Sequence, residues 1–191
     1  MTRIRKIVLW VCGLAAVALV YNLDAIVGQW KFDRLCKNEG GSKFYAQVEK
    51  DVGWEVESED DHGYQVPFNI GHVAFVRYRD RQGNLLDVHL KPGPTPWSKG
   101  YDITPANPTK QIRYRLTMEQ DKLPEDERMS RTQDTITDVQ RGAPVASHTR
   151  FSYRWTKPER MILSMPTGAT CHAGHEGDQF FAAIFEPRTN K

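Results

Sequence analysis

The chain contains no G-x-S-x-G turn and no glycine-rich phosphate loop, which excludes an α/β-hydrolase elbow and a P-loop nucleotide site on motif grounds. No histidine follows a haem-attachment pair of cysteines, and no two histidines stand four residues apart as in a helical zinc motif. The acidic run Glu57, Glu59, Asp60, Asp61 lacks calcium-loop spacing and reads as a solvated loop, as does Glu125-Asp126-Glu127. Lys and Arg never cluster densely. Three of the 26 basic residues are Arg3, Arg5 and Lys6, so beyond residue 21 the chain carries 23 basic against 24 acidic side chains. A nearly neutral body of this kind has no global attraction to nucleic acid.

What is present begins at the N-terminus. Arg3, Arg5 and Lys6 precede an apolar run from Ile7 to Tyr21 that continues through Leu23, Ala25, Ile26 and Val27. Residues 7–27 as a helix, at ~1.5 Å per residue, would span about 31 Å, the thickness of a hydrocarbon core. Trp10 and Trp30 bracket the run, and Asp24 lies near its far end, where a charge costs less than at the centre. Val11 before Cys12 argues against a lipoprotein signal. Cleavage after Ala18 would leave Leu19-Val20-Tyr21 as an apolar new terminus. Retention as an anchor uses the whole run. Lys and Arg tie at three on each flank, and the basic residues at the membrane edge place the short tail inside. The expected order is a cytoplasmic tail 1–6, a transmembrane segment 7–27, a helical stalk 28–41 and a β-rich periplasmic domain 42–191.

The stalk should continue the membrane helix to about Lys37 and stop at Gly40-Gly41, with Phe32 and Leu35 on the domain. Period-two alternation then appears at Phe44, Ala46 and Val48. Gly71 to Tyr78 and Leu85 to Leu90 flank Asp80-Arg81-Gln82-Gly83-Asn84 as a hairpin. Val52 to Asp61 reads as irregular, and Lys91 to Pro108, with its five prolines, reads as a long loop. Further strands are expected at 112–118, 128–139, 145–155, 161–165 and 180–185. The fold class is α+β, mostly β: an N-terminal transmembrane helix and one antiparallel meander of about seven strands.

Cys36 and Cys171 lie near opposite ends of the exported part. An oxidising compartment favours a bridge between them; two buried or free thiols are the alternative. Cys171-His172-Ala173-Gly174-His175-Glu176 is the one polar cluster with ligand-like spacing, and His172, His175 and Glu176 could hold zinc or copper from a loop. An ordinary glycine-rich loop explains the same residues, and no cofactor is expected. His62, His72, His89 and His148 are scattered. Arg113, Arg115, Arg150 and Arg154 alternate with Tyr114, Phe151, Tyr153 and Trp155. That pattern predicts an arginine face for an acidic partner or a glycan, or simply the solvated side of a one-sided sheet.

Phe32-Asp33-Arg34-Leu35-Cys36 through Gly40-Gly41 to Tyr45, together with Thr135 to Trp155 and a late cysteine, resembles a family of small proteobacterial proteins of unknown function. The resemblance implies an envelope protein with paired N- and C-terminal cysteines and carries no activity. Arg154 stands where that family often has glycine. The expected function is a bacterial inner-membrane, single-pass protein whose periplasmic domain is a binding or accessory module of unknown ligand, a reading preferred to an enzyme. Its partner would be an envelope protein or a glycan. The alternatives are a periplasmic metal-dependent enzyme or metal-binding protein built on the Cys171–Glu176 loop, and a soluble domain released at Ala18.

Overall fold

A single helix, α1, runs from Arg3 to Glu39, two residues past the expected end. The computed structural model describes residues 3–57, 67, 72–91, 100–124, 126–154, 168–172 and 175–186; the side chains of 3–7, 9, 15, 17–22, 24, 175 and 178 lie outside that description. Gly40 ends α1 by donating its N–H to the carbonyls of Leu35 and Cys36, and Gly41 takes a φ of 92°, which a side chain would resist. Among the described residues, no helix is long and apolar enough to cross a membrane. The whole segment 7–27 is nevertheless helical, and the side chains outside the description include Ile7, Leu9, Val17, Leu19 and Val20, which supply much of the apolar run.

Among the described residues nine strands follow and form one sheet: β1 (Gly41–Phe44), β2 (Val52–Glu57), β3 (Val73–Arg79), β4 (Leu85–Leu90), β5 (Tyr101–Pro105), β6 (Ile112–Lys122), β7 (Met129–Asp138), β8 (Ala143–Arg154) and β9 (Gly168–Cys171). A short helix, α2 (His175–Ala183), closes the described chain. The order across the sheet is β1-β8-β7-β6-β2-β3-β4-β5, with β9 continuing along the β8 edge that β1 also uses. This corrects the expected meander. β2 is parallel to both of its neighbours, β3 and β6, so the sheet is mixed.

Three further expectations change. Residues 52–57, expected to be irregular, form a central strand: Trp54 and Val56 are buried while Glu55 and Glu57 alternate with them. The acidic residues hid a period of two, and Glu55 is accommodated because it lies beside Arg115, its register partner on β6. Residues 101–105, expected to be loop, form the edge strand β5, where prolines are tolerated. Residues 180–185, expected to be a strand, belong to α2 and the turn after it. Phe180 and Ile184 are both buried at a spacing of four, the period of a helix face, and so short an apolar run does not distinguish the two periods. The expected strand 161–165 lies outside the described residues. The hairpin at Asp80–Asn84 forms as expected, with Gly83 at φ 89° and the Asp80 carboxylate accepting both N–H groups of Asn84.

α1 and α2 cover opposite faces. Trp54, Val76, Val88, Tyr114, Leu116, Ile136 and Ala146 share one face through the register and pack with Phe180, Ile184 and Phe185. On the other face Met129, Phe151 and Tyr153 pack with Phe32 and Leu35 of α1. A short crossover from β5 to β6 also lies on this second side. There Arg77 and Asp87 form a buried pair at 2.7 Å, and Asp87 additionally accepts the Asn107 N–H while Arg77 donates to the Asn107 carbonyl.

Candidate functional site

The residues with the most concentrated chemistry meet where α1 joins the sheet. Cys36, in the last turns of α1, is disulfide-bonded to Cys171 at the end of β9, 135 residues away in sequence. The expected bridge is therefore present. A bridge over so long a loop typically contributes about 2–4 kcal/mol by restricting the unfolded chain. His172, the next residue, is held at φ 55°; its Nε2 lies 3.0 Å from the Cys36 carbonyl and its Nδ1 2.6 Å from Glu176 at the start of α2. Its ring lies against Gly40, where a Cβ would come within 2.4 Å of His172 Cδ2 and 2.7 Å of the Cys36 carbonyl oxygen. The glycine pair that ends the helix thus also makes room for the histidine.

Beneath this joint lies a buried relay. His148 on β8 is wholly inaccessible, and its Nε2 is 2.7 Å from the His172 carbonyl. A carbonyl only accepts, so Nε2 carries the proton and Nδ1 receives the Ser42 hydroxyl at 3.0 Å. Phe180 stacks on the ring at 5.2 Å between centroids. Burial pushes His148 below its usual value; the neighbouring His172 carbonyl and Asp134 oppose that shift. Asp134, its register partner on β7, is pushed up by burial despite the charges of Arg150 and His148, and Arg150 Nη2 approaches it to 3.1 Å. Serine and histidine are in the contact a nucleophile makes with its base, yet the ring is sealed under Phe180. The relay holds β1, β8 and the residue that follows β9 together.

The sequence-derived metal ligands do not converge on an open site. Cys171 is a disulfide sulfur and not a thiolate. Both ring nitrogens of His172 already face oxygen atoms of the protein, the Cys36 carbonyl and the Glu176 carboxylate. Glu176 is engaged with it, and the His175 side chain lies outside the described residues. Among the described residues no group of three or more His, Cys, Asp or Glu side chains is arranged to hold a metal ion.

The four arginines do not form one face. Arg115 and Glu55 are cross-strand neighbours joined at 2.8 Å, whereas Arg150 and Arg154 lie on the sheet's opposite face with Asp134 and Leu116. Arg113 sits at the β6 irregularity and contacts Asp138, Glu49 and Gln140. Phe151 and Tyr153 likewise lie opposite Tyr114. The registers of β6 on β7 and of β7 on β8 decide this, and alternation within one strand cannot reveal them. Sequence reading missed Ser42, His148, Asp134 and the Arg77–Asp87 pair. The one available signal was that Cys171 and His172 are adjacent, so a Cys36–Cys171 bridge brings His172 to the helix end.

No family model matches the chain, and no curated protein or solved structure matches it either. The resemblance to proteobacterial envelope proteins therefore rests on its motifs alone.

Proposed function

We propose that this chain is a single-pass protein of the bacterial inner membrane whose sheet domain serves in the periplasm as a non-enzymatic binding or accessory module. One observation carries the reading. The first two-thirds of α1 project beyond the sheet with large apolar side chains exposed, Trp10 by 74%, Leu14 by 65% and Val11 by 58%, an arrangement water disfavours and a bilayer satisfies. The Cys36–Cys171 bridge supports the compartment, since such bonds persist in oxidising surroundings. The partner that fits such a location is an envelope protein or a glycan. An alkaline phosphatase fused after Lys191 should be active and a cytosol-dependent fluorophore there dark, with the protein resisting carbonate extraction. The reverse pattern of reporters would sink the proposal.

A further inference from the structure

The junction between α1 and the sheet is rigid at two levels, and the lower level falls inside the apolar run. The Tyr153 hydroxyl donates to the Ala25 carbonyl at 3.3 Å. Gly28 is pressed so closely to the same ring that a Cβ there would fall 2.1 Å from the hydroxyl oxygen and 3.0 Å from Arg128 Nη2. Phe32 then stacks on Tyr153 at 5.9 Å between centroids, and Cys36 is bridged to Cys171. Along α1 from residue 25 to 41, the β8 residue beside it changes from Tyr153 to Phe151, the register partner of Cys171, and then to Thr149, the partner of Gly41. The helix thus runs antiparallel to β8, and its apolar half leaves the sheet at the Tyr153–Arg154 end.

Ala25 lies two residues before the end of the 7–27 span, or about 3 Å along a helix axis. The headgroup layer beyond the hydrocarbon is itself about 5–8 Å deep. An attachment that begins at Ala25 leaves no length of stalk to lift the domain clear of it. The end of the sheet that descends here is the β6–β7 tip, residues 122–124 and 126–129, together with Arg154. Lys122 and Arg154 are exposed there beside the exposed acids Asp121 and Glu127, and Lys31 of α1 lies near Asp126. One turn above the span, Trp30 is 60% exposed under the Arg34 guanidinium, which lies 5.6 Å from its ring. An amphipathic aromatic beneath a cation suits an interfacial position.

We infer that this tip of the sheet is seated on the phospholipid headgroups of the bilayer that holds α1, so the domain stands upright on the membrane and does not swing on a stalk. The inference rests on the anchor reading. The turn at residues 139–142 then points away, about 30 Å higher along β7 at ~3.3 Å per residue.

The test uses the full chain carrying Cys12→Ser, with its disulfide closed, in vesicles of phosphatidylethanolamine and phosphatidylglycerol. Single Val11→Cys, Lys122→Cys, Arg154→Cys and Arg141→Cys variants each receive an environment-sensitive fluorophore and are quenched by lipids spin-labelled on the headgroup or the acyl chain. Val11→Cys should respond to the acyl-chain label. Lys122→Cys and Arg154→Cys should be quenched by the headgroup label several-fold more strongly than Arg141→Cys. Equal quenching at all three sheet positions, with Val11→Cys still responding, overturns the seat and leaves the anchor standing. An unresponsive Val11→Cys overturns both.

Discussion

With its Nε2 proton committed to the His172 carbonyl and its Nδ1 to Ser42, the His148 ring has no room for a second proton that water would stabilise. Burial lowers its pKa below the ordinary 6.5, so as pH falls the unfolded chain takes up that proton first. The stability it supplies is whole above about pH 6.5 and drains away below it, by about 1.4 kcal/mol for each unit that separates folded from unfolded values. Asp134 runs the other way. Burial raises its carboxyl above 3.8, so its ionised form burdens the fold at neutral pH and acid relieves that burden. Substituting His148→Gln isolates the first effect. Its urea midpoint should lie well below that of the unsubstituted protein at pH 7.5, and the gap should narrow steadily toward pH 5. A gap that ignores pH would mean His148 titrates no differently in the folded chain. Residue types alone could not announce this site. His148 was one of several scattered histidines, and only the β1–β8 register, in which Ser42 faces it directly, gives it a partner.

Among the elements, the β5-to-β6 crossover is the least conventional, because the chain must return from the sheet edge past β4, β3 and β2 to pair β6 with β2. Asp87 holds it down. Its side chain is fully buried, and although burial pushes its carboxyl up, the Arg77 hydrogen bonds, the Asn107 N–H and the charges of Arg77 and Lys110 together bring it below the usual carboxylate range. Asp87→Ala strands the buried Arg77 guanidinium and should cost about 3–5 kcal/mol in denaturant titration. Arg115→Ala, which breaks the far more exposed pair with Glu55, should cost no more than about 1 kcal/mol. Similar losses in the two variants would refute this role for the crossover. Element identity was partly legible. Gly40-Gly41 marked the end of α1 and Gly83 the first hairpin, because each supplies a backbone conformation other residues resist. β2 and α2 were missed because acidic alternation masked one and a six-residue apolar run could not declare its period.

At the scale of the whole molecule, the contacts of the apolar helix with the sheet begin, among the described residues, at Ala25, so a chain lacking residues 1–24 should keep the Cys36–Cys171 bond and unfold cooperatively without detergent. Loss of a cooperative transition in that truncated chain would mean the removed helix is part of the core. A mostly-β, one-sheet body behind a helix could be inferred from alternation and from the glycine and proline punctuation. Strand order could not, because parallel pairing of β2 is decided by which distant strands its two edges meet. That order also imposes a schedule on synthesis. β1 finds its partner only when Thr149 arrives, 108 residues after Gly41, which at ~5–20 residues per second is a wait of about 5–20 s. Throughout that interval the newborn chain holds an orphan strand directly beside its outbound helix, and the fold can be latched only after the last cysteine has left the ribosome.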